Sequence, residues 1–295
     1  MTHPLAREIS ADAPGAPLDP SRTCAIGQCG LVWVEGPDAV TFLQGLVTCN
    51  VADITVGDGR LGLLLDAKGH ITTQLQIVRD DPQGFTLITD PTAAPRLAED
   101  LDRFHFSEDL EILGPEISAL VTIADGIDPP ALAISAPGWI PGTRVAVVDD
   151  GAEAAAEGGW QPASEDALEV LRITAGVARV GVDTGPKTLV QEVLLEDRVV
   201  DFSKGCYLGQ ETVARAQHRG QVNRILRGLI AAAPMVRGAE VRFGDRVLGT
   251  ITSVAIHPTL GAIAMGVLRR EIPDGATVRV GPDGIPATLH AFPLR

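Results

Sequence analysis

Apolar positions change their period several times along the chain, and each change marks an element. Leu31-Val32-Trp33-Val34 is a short continuous apolar run and reads as a strand. Gly36-Pro37-Asp38 follows, with proline at an early helical position, and Ala39, Phe42, Leu43 and Leu46 then recur at i, i+3, i+4 and i+7. That spacing predicts an amphipathic helix with one face turned inward. Arg60 to Leu65 and Ile71 to Val78 flank the turn Asp66-Ala67-Lys68-Gly69, and Asp80-Asp81-Pro82-Gln83-Gly84 leads on to Phe85 through Thr89. Three consecutive strands are therefore expected as an antiparallel meander. Leu97, Leu101 and Phe104 mark a helix and Leu110-Glu111-Ile112 a strand. This order predicts an α+β fold with helices on one face of a mainly antiparallel sheet.

The pattern loosens between about 114 and 163. Ala119 to Ile123 and Arg144 to Val148 are strand-like but separated by Pro- and Gly-rich stretches, which suggests a small inserted α/β subdomain. Ser164 is a helix cap, with Leu168 and Leu171 on the buried side and Gly176 just past the end. After Asn223, short apolar segments recur between turns such as Gly244-Asp245 and Gly281-Pro282-Asp283-Gly284, the spacing of a small C-terminal antiparallel β-barrel. Residues 1–21, rich in Ala, Pro and Asp without an apolar period, read as a flexible lead-in. The expected organisation is thus 1–21, an α+β region over 22–222, and a barrel over 223–295.

Charge narrows the classes. A net charge of −14 argues against a general nucleic-acid binder, because phosphate backbones are held mainly by Lys and Arg. A local exception is the cluster Arg215, His218, Arg219, Arg224 and Arg227, which could neutralise a carboxylate or phosphate, or serve only as a solvated face with ion pairs. Cys24, Cys29, Cys49 and Cys206 form no CxxC pair and no zinc spacing, so reduced thiols and no resident metal are expected. No apolar run reaches the ~20 residues of a membrane span, and the N-terminus lacks an export pattern, so a cytoplasmic protein is expected.

Chemistry concentrates in Lys204-Gly205-Cys206-Tyr207-Leu208-Gly209-Gln210-Glu211 and its continuation through Thr212-Val213-Ala214-Arg215. Gly205 and Gly209 flank the thiol on a turn, and Glu211, Arg215 and Arg219 recur every four residues, which places them on one helical face. A thiol ahead of a helix start and two residues from Lys204 could be activated, or could be a small residue filling a turn.

The run KGCYLGQETVARAQHRGQVNR resembles the signature of the YgfZ-type proteins, folate-binding relatives of the glycine-cleavage T-protein that support iron–sulfur cluster assembly or repair. Gly36-Pro37-Asp38-Ala39, Phe42-Leu43-Gln44-Gly45, Val47-Thr48 and the Asp66-Ala67-Lys68-Gly69 turn resemble the N-terminal pattern of the same superfamily, so the resemblance is nearly full-length. It implies T-protein-like modules around a central folate pocket, followed by the barrel. It implies Cys206 and Lys204 as the reacting groups, with Cys206 a transient iron–sulfur ligand at most, since one thiol cannot hold a cluster that normally takes four. Tetrahydrofolate is the implied cofactor, with Tyr207, Gln210, Glu211, Arg215, Asp66 and Lys68 around it. Iron–sulfur client proteins, including radical enzymes that thiolate tRNA bases, are the implied partners, without direct nucleic-acid contact. Tryptophans that some members place for a pterin map to Cys29 and Leu168 here, with Trp33 and Trp160 nearby in sequence. The alternative reading is a tetrahydrofolate-dependent aminomethyltransferase; the acidic position of T-proteins maps to Thr73 and Gln74, neither of which is a carboxylate. A third is a ligand-free scaffold whose Cys206 loop is an interaction surface.

Overall fold

The computed structural model describes residues 22–130, 133–219 and 222–295. The expected lead-in over 1–21 lies outside the described residues. The described residues form two compact units, one within 22–163 and 196–212, the other within 164–195 and 213–295. Segment 164–195 thus joins the C-terminal strands, and the chain divides at 163/164, 195/196 and 212/213 rather than at 222/223.

The first unit is built on an eight-stranded sheet. Its strands are β1 (Thr23–Glu35), β2 (Gly59–Leu65), β3 (Ile71–Asp81), β4 (Gly84–Thr89), β5 (Glu111–Ala124), β6 (Ile134–Pro137), β7 (Thr143–Val148) and the short β8 (Gln161–Pro162). They run in the order β2-β3-β4-β1-β5-β7-β6, antiparallel throughout, with β8 parallel to the start of β1. The β2-β3-β4 meander forms as expected. The expected strands at Leu110 and Ala119 are one strand, β5, and β5 to β7 extend the same sheet, so residues 114–163 are no separate subdomain. The loose pattern has a physical cause: the first half of β5 is exposed on both faces, so burial imposes no alternation there.

Elsewhere burial on both faces explains the continuous apolar runs. Val32 and Val34 of β1 pack with Leu75, Ile77, Phe85 and Leu87 against helices α1 (Ala39–Gln44) and α2 (Ala94–Phe104). Cys29 and Leu31 point the other way, packing with Val78, Ile88, Ala136 and Val145. The sheet curls, since β6 returns against β2 and β3, where Gln76 donates to the Pro137 carbonyl at 2.8 Å. Helix α3 (Gly151–Glu157), capped by Asp150, covers Val121 and Ile123 of β5.

The second unit curls another antiparallel sheet, β11-β10-β14-β15-β9-β13-β12, from β9 (Arg224–Ala231), β10 (Glu240–Phe243), β11 (Arg246–Thr250), β12 (Ser253–His257), β13 (Gly261–Arg269), β14 (Thr277–Val280) and β15 (Ile285–His290). Each sheet is a half-barrel. Helix α4 (Glu165–Ala175) starts at Ser164, whose hydroxyl accepts the Ala167 N–H, and packs on β12 and β13. Its buried Arg172 bonds Glu169 at 2.5 Å, Asp183 at 2.7 Å and the Ser253 hydroxyl at 2.6 Å. Burial alone would lower the Arg172 pKa, but the two carboxylates outweigh it and raise the pKa.

Candidate functional site

The site grows from the end of α1. After Gly45 the chain runs through Val47, Thr48 and Cys49, all buried, and these residues strap down the segment that carries the thiol. The Thr48 hydroxyl donates to the Val199 carbonyl at 2.6 Å and accepts the Leu63 N–H at 2.9 Å, while the Asp201 N–H donates to the Thr48 carbonyl at 3.0 Å. Lys204 Nζ donates to the carbonyls of Val47 and Cys49, each at 2.7 Å, and the Leu208 N–H donates to the Gly45 carbonyl at 3.0 Å. The Asp201 carboxylate accepts the Ser203 hydroxyl and the N–H groups of Ser203 and Lys204, which shapes the turn between α5 (Glu196–Val199) and the thiol. Those bonds, the Ser203 hydroxyl foremost, hold the Asp201 carboxyl below the usual range.

Lys204 is therefore a strut. It is buried, its ammonium turned to two carbonyls and lying 5.2 Å from the centre of the Tyr207 ring. Burial pushes its pKa down to about 8. It is not free to neutralise a thiolate or an anionic ligand, as the motif alone suggested. Tyr207 is likewise core, with burial pushing its phenol up to about 12.

Cys206 is exposed, whereas Cys24, Cys29 and Cys49 are buried. Burial pushes the Cys29 and Cys49 thiols up to about 11, so both stay neutral at pH 7. Cys206 stands four residues ahead of helix α6 (Gln210–Arg219), farther than the single turn over which a helix dipole acts strongly.

Two glycines bring the sequence motifs together. Gly69, at φ +81, and Gly209, at φ +79, meet backbone to backbone: a Cβ on Gly209 would fall 2.6 Å from the Asp66 carbonyl oxygen, and one on Gly69 would fall 2.7 Å from Thr212 Cβ. Gly205, expected to share this role, has open space and no positive φ. At this crossing Asp66 accepts the N–H groups of Lys68 and His70 and pairs with His70 Nδ1 at 2.8 Å. Burial alone would raise the Asp66 carboxyl, and the His70 backbone N–H and ring with the Lys68 N–H outweigh it and hold it below the usual range. Lys68 and Glu211 are exposed and Gln210 is half-buried beside the crossing, whereas Arg215 falls in the second unit. Asp201 and His70 were missed in the sequence, and Thr48 was quoted there without a role. Thr48 and Asp201 act through partners remote in the chain, while the i, i+4 Asp66–His70 pair was a signal open to reading.

A pterin needs an apolar plane with polar groups at its edge. The crossing has none free, since the Tyr207 ring is buried against Lys204. A groove of about 610 Å³ elsewhere in the first unit meets the requirement: Leu31, Trp33, Ile134 and Val147 line it, with Gln28, Glu116 and Asp149 as polar groups. Cys29, one of the positions mapped for a tryptophan, lies in the core instead. Thr73, at the mapped acidic position, is buried on β3. Among the described residues, no group of three or more His, Cys, Asp or Glu could hold a metal ion, and no helix is long and apolar enough to cross a membrane.

Residues 24–120 match the GCVT N-terminal domain family. The chain is 27% identical over 284 residues to the tRNA-modifying protein YgfZ of Edwardsiella ictaluri (strain 93-146), covering 85% of each. It is 28% identical over 218 residues to an iron–sulfur cluster assembly factor IBA57 homolog, mitochondrial, of Pyricularia oryzae, covering 66% of this chain and 53% of that one. Its fold matches the glycine cleavage system aminomethyltransferase T of Bartonella henselae with a TM-score of 0.78 and 20% identity, covering 98% of this chain and 94% of that one. With the domain match over residues 24–120, the extended sequence similarity and the shared fold together, the chain is similar to the YgfZ-type proteins and folds like the glycine-cleavage T-protein.

Proposed function

We propose that this protein is a folate-binding accessory factor for iron–sulfur cluster assembly or repair, serving iron–sulfur enzymes such as those that thiolate tRNA bases. The observation that carries the reading is the presentation of Cys206: one exposed thiol on a loop held rigid by Thr48, Asp201 and Lys204, while the other three thiols are buried. Rigid presentation suits ligand exchange, in which the thiol gives its proton to solvent and takes a coordination position that a client's ligand vacates. The cluster is then cargo, completed by the client's own ligands. Lys204 serves as a positioning residue.

Tetrahydrofolate, when bound, supplies one-carbon or reducing chemistry. The Trp33 groove would hold its pterin, the indole giving the plane and Glu116 and Gln28 the edge contacts, while Lys68 and Gln210 remain as polar groups at the crossing. The test is complementation of a bacterial strain lacking its own YgfZ-type protein. Wild type restores tRNA thiolation and Cys206→Ser does not; equal rescue by both sinks the role of the thiol. The folate arm is separate: tetrahydrofolate raises the unfolding temperature of wild type but not of Trp33→Leu, because a ligand of the native state stabilises it by mass action.

The second reading, aminomethyl transfer, is favoured by the T-protein fold. Buried Thr73 and half-buried Gln74 stand where it needs a carboxylate, and turnover of an aminomethyl donor would establish it.

A further inference from the structure

The basic cluster read in the sequence is rearranged by the fold. Arg227 leaves it: its guanidinium is buried and bonds the Ile272 carbonyl at 2.9 Å and the Asp274 carboxylate. Arg269 and Arg270 enter it. The antiparallel register of β9 and β13 sets Arg224 directly opposite Arg269, and the Arg270 N–H donates to the Asn223 carbonyl at 3.0 Å, so three arginines gather at one end of the ladder. Strand alternation puts Arg224 and Arg269 together on the sheet face away from the Leu229 and Leu268 core.

Like charges directly opposite on neighbouring strands repel. Nearby carboxylates do not relieve them, because Glu271 pairs with Arg246 at 2.6 Å and Asp274 pairs with Arg227. Among the described residues, no ion pair forms at Arg224, Arg269 or Arg270, in a chain whose net charge is −14. Arg224 and Arg270 are exposed and Arg269 is half-buried. Two guanidinium forks side by side match the spread oxygens of a phosphate or carboxylate group, and such an ion removes the repulsion as it binds.

We propose that Arg224 and Arg269, with Arg270 beside them, form a binding site for a compact oxyanion of phosphate or carboxylate type. The site is independent of Cys206 and of the Trp33 groove.

The test uses the full chain at low ionic strength, with calorimetric titration of pyrophosphate and, separately, of tricarballylate. Saturable binding is expected for at least one, weakened roughly tenfold or more by Arg224→Gln and by Arg269→Gln, as for loss of a charged hydrogen-bond partner. Arg279→Gln, on an exposed arginine of β14, leaves it unchanged. Pyrophosphate preference assigns a phosphate-bearing ligand and tricarballylate preference a carboxylate one. Without ligand, both Gln variants unfold at the wild-type temperature or above, since each removes repulsion. No saturable binding, binding that the Gln variants leave intact, or a fall in their unfolding temperature would each overturn the proposal.

Discussion

Arg172 in one unit and Lys204 in the other are both buried cations, and the two are held in different ways. Arg172 is surrounded by carboxylates and hydroxyls: Glu169, Asp183 and Ser253 take its donors, and Asp183, itself fully buried, also accepts from Ser253 at 2.7 Å and Thr252 at 2.5 Å. Lys204 meets two neutral carbonyls and a ring. The consequence shows in their proton affinities, raised for Arg172 and pushed down to about 8 for Lys204. Arg172 closes an electrostatically balanced core, whereas Lys204 carries a desolvation cost to hold a loop in place. That cost falls on the residue that fixes the loop of the exposed thiol, as the proposed ligand-exchange role requires.

The largest effect is expected from Arg172→Met. Removing one partner of a buried pair leaves Asp183 uncompensated and should cost about 3–5 kcal/mol, read as a lower denaturant midpoint. Unchanged stability would remove the contrast.

Lys204→Met should cost less, about 1–3 kcal/mol, for two carbonyls left without their donor. Amide exchange should quicken at Asp201 and Leu208, whose N–H groups bond Thr48 and Gly45, while β9 and β13 keep their protection. The pH dependence sharpens this. Between about 8 and the ordinary 10.5 the unfolded chain binds more protons at Lys204 than the folded one, so this residue's contribution to stability rises with pH there. Cys49, pushed up to about 11, acts in the opposite sense only above its ordinary 9.0, so comparison of wild type with Lys204→Met between pH 8 and 9 isolates the lysine.

The smallest effect is at the crossing. The Asp66 carboxyl is held low, so its contribution is present above the ordinary aspartate pKa of ~3.9 and is lost as pH falls through the folded value. Asp66→Asn should flatten the acid limb of the unfolding temperature against pH below about 4, by lowering the neutral plateau slightly toward the acid value. An unaltered acid limb would show that the turn is held by backbone bonds alone.

Much of the fold was legible in short-range pattern. The helix starting at Ala39, the Asp66–Gly69 turn, the Ser164 cap and the start of α6 appear where the residues placed them, because each depends on neighbours within a turn or two, although the first helix ends at Gln44, short of Leu46 at i+7. The thiol motif was legible as a motif. The role of Lys204 was not: its position two residues from Cys206 suggested activation, while its partners lie 155 and 157 residues away in the chain. β5 was read as two strands because its exposed half carries no alternation, and the merging of 164–195 with the C-terminal strands left no local trace.

Local periodicity and turn chemistry suffice to specify helices and hairpins, since those follow from backbone sterics and the burial of adjacent side chains, whereas the exposure of the Gly-flanked thiol was decided by the fold. Which buried donor meets which remote acceptor follows from packing. Thr48 against Val199, Arg172 against Ser253 and Arg224 opposite Arg269 exist because folded strands and loops bring them within hydrogen-bond or register distance, and no spacing along the chain encodes that proximity.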